Sequence, residues 1–175
     1  MTSRALLLVA AGLCLQGASA QDLKRPAEFT HSGAADWVNS APLTLGQLRG
    51  KVVLVEFWAF ACVNCLESKA WVQSLAARDA GAGLVVVAVH TPELAQEKSA
   101  GNVRDAVARL GIRYPVMIDS DSSYWNALHN QYWPAFYVIG RDGLLHGKAI
   151  GEMHSGQSGA REVERLIDQL LAQHT

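Results

Sequence analysis

A run of β-forming residues, apolar on both faces, is the feature that most constrains the fold of this chain. It covers residues 51–58 and reads Lys-Val-Val-Leu-Val-Glu-Phe-Trp. A strand covered on both sides of its sheet has such an unbroken apolar pattern, whereas a half-exposed strand alternates apolar and polar residues. The apolar residues that follow recur at helical spacing, starting at Cys62. The run therefore predicts a central, covered strand that leads into a helix, as in α/β proteins.

Strand and helix patterns continue to alternate beyond this point. Further strands are predicted at 84–89, 114–118, 135–139 and 144–150, and helices at 91–110, 121–132 and 163–171. Thr91 is expected to cap the helix at 91–110, with Pro92 at its first position. Segments 37–39 and 43–45 predict a small hairpin added to the edge of the sheet. The element order predicts a mixed sheet with helices on both faces.

Length and charge limit the number of domains and the kind of partner. The 175 residues are 50% hydrophobic and 18% charged, which fits one globular domain and not a disordered chain. The 15 Lys and Arg residues are balanced by 16 Asp and Glu residues, so the formal net charge is -1. Proteins that bind nucleic acids carry an excess of basic residues against the phosphates. Nucleic acid is therefore not expected as a partner.

The first twenty residues have the pattern of an export signal. Arg4 supplies a positive start, residues 5–15 an apolar stretch, and Ala18-Ser19-Ala20 the small-x-small cleavage site. The apolar stretch is too short to span a bilayer. We therefore expect a periplasmic or otherwise exported protein that is soluble after the signal peptide is removed.

Three regions follow from this reading of the N-terminus. They are a signal peptide at 1–20, an N-terminal extension at 21–36 and one domain at 37–175. A lipid anchor on Cys14 is the alternative to cleavage after Ala20. It is disfavoured because Leu13 stands where the residue before a lipidated cysteine is normally small.

Removal of the signal leaves two cysteines, Cys62 and Cys65, separated by two residues. At a helix start, unpaired backbone N–H groups and the positive end of the helix dipole favour the Cys62 thiolate. Cys65, one turn further inside, is expected to be more buried and to resolve an intermediate formed at Cys62. An inert disulfide and half of a zinc site are the alternatives, but the six histidines show no ligand spacing. We predict redox chemistry without a metal or a cofactor.

Segment 55–65, Val-Glu-Phe-Trp-Ala-Phe-Ala-Cys-Val-Asn-Cys, resembles the active-site segment of the thioredoxin superfamily. The similarity is to its exported TlpA/DsbE-like branch, in particular the thioredoxin-like domain of DipZ-type proteins. Further matching stretches are Thr91-Pro92-Glu93, Gly111-Ile112-x-Tyr114-Pro115 and Trp133-Pro134-Ala135. The resemblance covers residues 37–171. It implies a thioredoxin fold with a central mixed sheet flanked by helices, an N-terminal hairpin extension and an insertion.

The resemblance also implies a role for Glu56. This residue lies six positions before Cys62, where the superfamily has a buried acid that takes a proton from the resolving cysteine, here Cys65. An ionised acid that is buried without a partner costs several kcal/mol. Two other placements therefore stay open for Glu56: pairing with a lysine such as Lys51 or Lys69, or a position at the sheet edge.

Other residues are expected near the sulfurs because of the resemblance. The family places a cis-proline at the start of the strand after Trp133, which predicts a cis Trp133–Pro134 bond and a backbone open to pairing with substrate. Trp133 would then flank the sulfurs. Trp58 and Phe60 are further candidates for substrate contact, although core packing explains Trp58 equally well. His90 is expected to be a loop histidine with its hydrogen bonds satisfied, with an approach to the second face of the site as the alternative.

The resemblance implies an exported thiol:disulfide oxidoreductase, in which Cys62 attacks a disulfide of a partner protein and Cys65 displaces the mixed disulfide. A thiol peroxidase is one alternative, but Ala59 occupies the place of the threonine it needs. A Sco-type copper-binding assembly factor is another, but that family spaces its cysteines by three residues.

The direction of electron flow is expected to be that of a reductant. The residues between the cysteines, Val63 and Asn64, lack the histidine that helps to make the strongest oxidants of the superfamily. A reductant outside the cytoplasm must be recharged by a dedicated donor. The resemblance implies a membrane donor of the CcdA or DsbD type. Expected substrates are exported proteins with disulfides, including apocytochromes in cytochrome c maturation.

Overall fold

The computed structural model describes residues 23–173 and contains one six-stranded sheet with four α-helices. The predicted signal peptide at 1–20, with Cys14, lies outside the described residues. Within 23–173 no helix has both the length and the apolar character needed to cross a membrane. The strands are β1 Trp37–Val38, β2 Val52–Trp58, β3 Leu84–His90, β4 Val116–Ile118, β5 Ala135–Ile139 and β6 Leu145–Ile150. The helices are α1 Val63–Asp79, α2 Ala100–Arg109, α3 Ser123–Ala127 and α4 Ser158–Ala172.

Strand β2 lies inside the sheet, as its apolar sequence predicts. The strand order is β1-β4-β3-β2-β5-β6. β2 runs parallel to β3 and antiparallel to β5, and β3 runs parallel to β4. All seven residues of β2 are buried. The mixed sheet with flanking helices confirms the predicted α/β class.

The alternation of side chains along β2 divides the core into two layers. Val52, Leu54 and Trp58 pack on one face, with apolar residues of α1, α2 and α4. Val53, Val55 and Phe57 pack on the other face, with Tyr124 of α3 and side chains from the N-terminal segment. Glu56 has the same parity as the first set, so it points towards the layer that contains α1. This places an acid beneath the helix that carries the cysteines.

The prediction of an N-terminal hairpin is wrong, because the first strand does not pair with the segment that follows it. Strand β1 does extend the edge of the sheet, but its partner is β4, with Trp37 opposite Met117 and Val38 opposite Val116. Segment 43–45 is not a strand. The reason lies at Asn39, which has a left-handed φ of 65° and whose side-chain amide donates hydrogen bonds to the carbonyls of Ile112 and Tyr114.

The helix predicted at 91–110 begins later than the sequence indicates. α2 starts at Ala100 with Ser99 as its N-cap, and a 3₁₀ turn, Ala95–Lys98, precedes it. Thr91 does not cap a helix, because its hydroxyl donates to Asp119 at 2.9 Å. The helix predicted at 121–132 is also shorter, and α3 covers only five residues.

Candidate active site

The two cysteines lie at the junction of β2 and α1. Cys62 is the N-cap of α1, and its sulfur accepts a hydrogen bond from the backbone N–H of Cys65 at 3.2 Å. The sulfurs form a disulfide, with 5.2 Å between the Cα atoms. Cys62 retains 8% of its surface exposed and Cys65 none. Cys62 is therefore the more exposed of the two cysteines, as the sequence predicts for their burial.

An open groove of about 310 Å³ lies in front of Cys62. Three separate segments line it: residues 61–64, Glu93 and Trp133. The Trp133 indole donates to the backbone carbonyl of Thr91 at 3.1 Å and stacks on Trp125, with 4.0 Å between ring centroids. The Trp133–Pro134 peptide bond is cis, which confirms the expectation from the resemblance.

Exposed apolar side chains occur in the segments that contribute to this groove, beside its polar lining residues Asn64 and Glu93. Five large apolar side chains are exposed among the described residues, and four of them belong to segments next to the groove. These four are Val63 and Leu66 at the start of α1, Leu94 beside Glu93, and Tyr132 beside Trp133. These exposed side chains, together with Asn64 and Glu93 of the groove lining, are candidates for contact with a partner.

Glu56 forms an ion pair inside the core. Its Oε1 accepts from Lys69 Nζ at 2.7 Å, and its Oε2 accepts from the Tyr114 hydroxyl at 3.4 Å. Of the placements left open by the sequence, pairing with Lys69 is observed, while Lys51 is exposed. Burial lowers the pKa of Lys69, and the charge of Glu56 opposes that shift. Burial, with the Glu56 charge as second cause, raises the pKa of Tyr114 well above its usual value.

Trp58 does not belong to the substrate surface. Its side chain is fully buried, and Lys69 Nζ lies 4.0 Å from the centroid of its ring. The prediction that Trp58 contacts substrate is therefore wrong, and the alternative of core packing holds. Phe60 is half-buried and stacks on His90, with 5.4 Å between ring centroids, so it stays a candidate at the rim of the site.

His90 and Glu97 are two buried residues next to the cysteine segment; the sequence did not predict a place there for Glu97 and indicated one for His90 only as the alternative. His90 is the last residue of β3, not a loop residue, and its Nε2 accepts from the backbone N–H of Phe60 at 3.3 Å. Its Nδ1 has no hydrogen-bond partner among residues 23–173, so the expectation of satisfied hydrogen bonds is wrong. Burial lowers the pKa of His90 to about 4. Glu97 has no exposed surface, and its carboxylate accepts from the backbone N–H of Ala61 at 2.8 Å.

The cysteines are not part of a cluster of metal-ligating side chain types among the described residues. Within the described part of the chain, such a group consists of His31, Asp119 and Asp121, and it includes neither cysteine. Asp119 is already occupied by hydrogen bonds, since it accepts from Thr91 and from the backbone N–H groups of Tyr124 and Trp125.

The sheet topology, the cysteine pair at the start of α1 and the cis-proline beside the groove define a thioredoxin-like protein. The chain belongs to the Redoxin family, whose sequence pattern matches residues 17–165. It is 39% identical over 142 residues to Protein DipZ of Mycobacterium tuberculosis, a match covering 79% of this chain but 20% of that protein. It thus spans about a fifth of the DipZ length.

Two further relatives match over nearly their whole length. The Thiol-disulfide oxidoreductase YkuV of Bacillus subtilis is 32% identical over 144 residues, which are 81% of this chain and 92% of that protein. The solved structure of a putative Thiol:disulfide interchange protein DsbE from Chlorobium tepidum superposes with a TM-score of 0.73 at 21% identity, over 86% of this chain and 97% of that one. This structural likeness confirms the thioredoxin fold.

Proposed function

We propose that this chain is an exported thiol:disulfide oxidoreductase that reduces disulfides in partner proteins. One observation carries the proposal: of two disulfide-bonded cysteines at a helix start, only Cys62 reaches the open groove, while Cys65 is fully buried behind it. An accessible nucleophile with a shielded resolving partner is the arrangement that disulfide exchange requires.

The reaction starts from the dithiol form. The Cys62 thiolate attacks one sulfur of the substrate disulfide, so that a Cys62–substrate bond forms and the other substrate sulfur leaves as a thiolate that takes up a proton. Cys65 then loses its proton and attacks Cys62. The mixed disulfide breaks, the second substrate sulfur leaves, and the Cys62–Cys65 disulfide remains. Two electrons pass from the cysteine pair to the substrate.

The Glu56 carboxylate, paired with the Lys69 ammonium, is the acceptor for the Cys65 proton. Lys69 follows Cys65 by four residues on α1, so both side chains lie on the same, inward face of the helix. Glu56 reaches this face from β2 and holds the Lys69 ammonium at 2.7 Å. Because Cys65 is fully buried, an acceptor within the core replaces water in this step.

The substrates are extended, apolar segments of exported proteins with disulfides. Val63 lines the groove, and the exposed Leu66, Leu94 and Tyr132 belong to segments next to it; these side chains match apolar side chains better than charged ones. Trp133 lines one side of the groove, and the backbone at the cis Trp133–Pro134 bond is the part with which a substrate strand pairs. Apocytochromes in cytochrome c maturation are one class of substrate with these properties.

Export and electron supply complete the proposal. Residues 1–20 direct the chain out of the cytoplasm, and a membrane protein of the CcdA or DsbD type returns the cysteine pair to the dithiol form. This supply is needed because the surroundings outside the cytoplasm are oxidising and regenerate no dithiols. The alternatives, a thiol peroxidase and a copper-binding factor, are distinguished from this proposal by turnover of peroxide and by binding of Cu(I).

The test is reduction of insulin disulfides by the dithiothreitol-recycled protein. Wild type is expected to accelerate the reaction, Cys62→Ser to abolish the acceleration, and Cys65→Ser to trap a covalent complex with the substrate. Wild type with no activity above the dithiothreitol background would overturn the proposal. Turnover of hydrogen peroxide would favour the peroxidase, and Cu(I) binding that is lost on substitution of a histidine would favour the copper-binding factor.

A further inference from the structure

Residues 91–97 connect three parts of the active site. At their start, the carbonyl of Thr91 accepts the hydrogen bond from the Trp133 indole. In their middle, Glu93 lines the groove in front of Cys62. At their end, Glu97 is fully buried within the 3₁₀ turn that precedes α2. Residues 91–97 therefore lie between the cysteine loop (residues 59–62) and the cis-proline loop (Trp133 and Pro134).

The carboxylate of Glu97 joins two of the segments that line the groove. Its Oε2 accepts from the backbone N–H groups of Glu93 and Leu94, at 2.9 and 2.8 Å. Its Oε1 accepts from the backbone N–H of Ala61, next to Cys62, at 2.8 Å. Ala61 and Glu93 both line the groove. One buried side chain therefore holds the cysteine loop and the Glu93 segment at a defined separation.

Capping of the 3₁₀ turn does not account for this arrangement. The bonds to Glu93 and Leu94 satisfy the start of the turn, but the bond to Ala61 reaches a residue 36 positions earlier. His90 makes a similar contact with the residue before Ala61, since its Nε2 accepts from the Phe60 N–H. The amides of Phe60 and Ala61, directly before Cys62, thus both have side-chain acceptors, one at the end of β3 and one beyond it. A buried carboxylate is costly unless such charge-assisted bonds compensate it.

We propose that Glu97 is a positioning residue that sets the width of the groove between Cys62 and Glu93, and thereby the preference of the protein for polypeptide disulfides over small ones. The inference rests on the proposed function and deepens it. A polypeptide must lie in the groove to present its disulfide to Cys62. A small disulfide reaches the Cys62 sulfur without filling the groove, so its rate does not depend on the width.

The experiment compares single-turnover rate constants of the reduced protein with insulin and with hydroxyethyl disulfide. Glu97→Gln keeps one accepting oxygen but replaces the other with an NH2 group that donates and cannot accept, so one of the two joined segments is released. Glu97→Asp keeps the charge but is shorter by one methylene and does not span both segments. In both variants the insulin to hydroxyethyl disulfide rate ratio is expected to fall about tenfold, equivalent to about 1.4 kcal/mol.

Glu67→Gln is the matched control, since it removes the same charge from an exposed position on α1. Its ratio is expected to stay within about twofold of wild type, because exposed charges contribute little. An unchanged ratio in the folded Glu97 variants, or an equal loss of both rates, would overturn the inference. Wild type that reduces neither substrate would overturn the proposed function, and the inference with it.

Amide hydrogen exchange supplies a measurement that needs no variant. The N–H groups of Ala61 and Leu94 belong to surface segments, yet both are bonded to the buried carboxylate. We expect both amides to be protected in the wild-type protein. Fast exchange of the Ala61 amide would show that Glu97 does not hold the cysteine loop.

Discussion

Glu56 of the central strand and Lys69 of helix α1 form an ion pair inside the core, with 2.7 Å between Oε1 and Nζ. Neither side chain is more than 6% exposed. Taking two charges out of water costs as much as their attraction returns, so a buried pair is weak evidence for stabilisation. The position of Lys69 one helical turn after Cys65 agrees instead with a role in moving the proton of the resolving cysteine.

The first prediction concerns stability. Glu56→Gln leaves the Lys69 ammonium buried without a counter-ion, which is expected to lower the free energy of unfolding by about 3–5 kcal/mol. The double variant with Lys69→Met removes both charges and is expected to recover most of this loss. Urea unfolding of the oxidised proteins measures both effects. A single variant as stable as wild type would contradict the burial of the pair.

The second prediction separates the two chemical steps. In the Glu56→Gln, Lys69→Met variant, resolution of the mixed disulfide by Cys65 is expected to slow far more than the first attack by Cys62. The reason is that only the resolving step releases a proton inside the core. Stopped-flow tryptophan fluorescence follows both steps. If both rate constants equal those of wild type, the pair is structural.

The third prediction is a difference in reactivity between the two thiols. In the disulfide form, Cys62 has 8% of its surface exposed and lies at a helix start, whereas Cys65 is fully buried, and we expect the same order of accessibility in the reduced protein. Iodoacetamide at neutral pH is therefore expected to modify Cys62 first, as mass spectrometry of the partly alkylated protein shows. Equal labelling of both residues would contradict the assigned roles.

The fourth prediction is a pH dependence caused by His90. Its folded pKa of about 4 lies below the unfolded value of 6.5, so the unfolded chain binds the proton first as the pH falls. The stabilisation that results from the lowered pKa of His90 is complete above pH 6.5. It is lost as the pH falls towards 4, which lowers the free energy of unfolding by up to about 3 kcal/mol. In His90→Gln, which keeps an acceptor but does not titrate, the unfolding free energy is expected to fall less over this interval. Identical slopes for variant and wild type would exclude His90 as the cause.

The fifth prediction is the reduction potential of the cysteine pair. Val63 and Asn64 provide no histidine between the cysteines, which favours a reductant. Equilibration with glutathione is expected to give a value closer to that of thioredoxin, about -270 mV, than to that of a strong oxidant, about -120 mV. A value at the oxidant end would reverse the proposed direction of electron flow.

Local periodicity allowed the cysteine site to be predicted from the sequence. The apolar pattern of β2 and the helical spacing after it place Cys62 at a helix start and Cys65 on the inward face. Period-two alternation in β2 brings Glu56 under the same helix. These placements depend on residues close together in the chain, whose backbone geometry repeats regularly.

Contacts between distant parts of the chain were decided by the tertiary structure. The sequence left the partner of Glu56 open, and the packing of α1 on β2 selected Lys69. The strand β1 pairs with β4, not with the segment predicted beside it. Glu97 carries no local signal for its bond to Ala61, because the two residues lie 36 positions apart and meet only when β2 and β3 lie side by side. Periodicity determines which face a side chain occupies, but its partner on that face depends on how the elements pack.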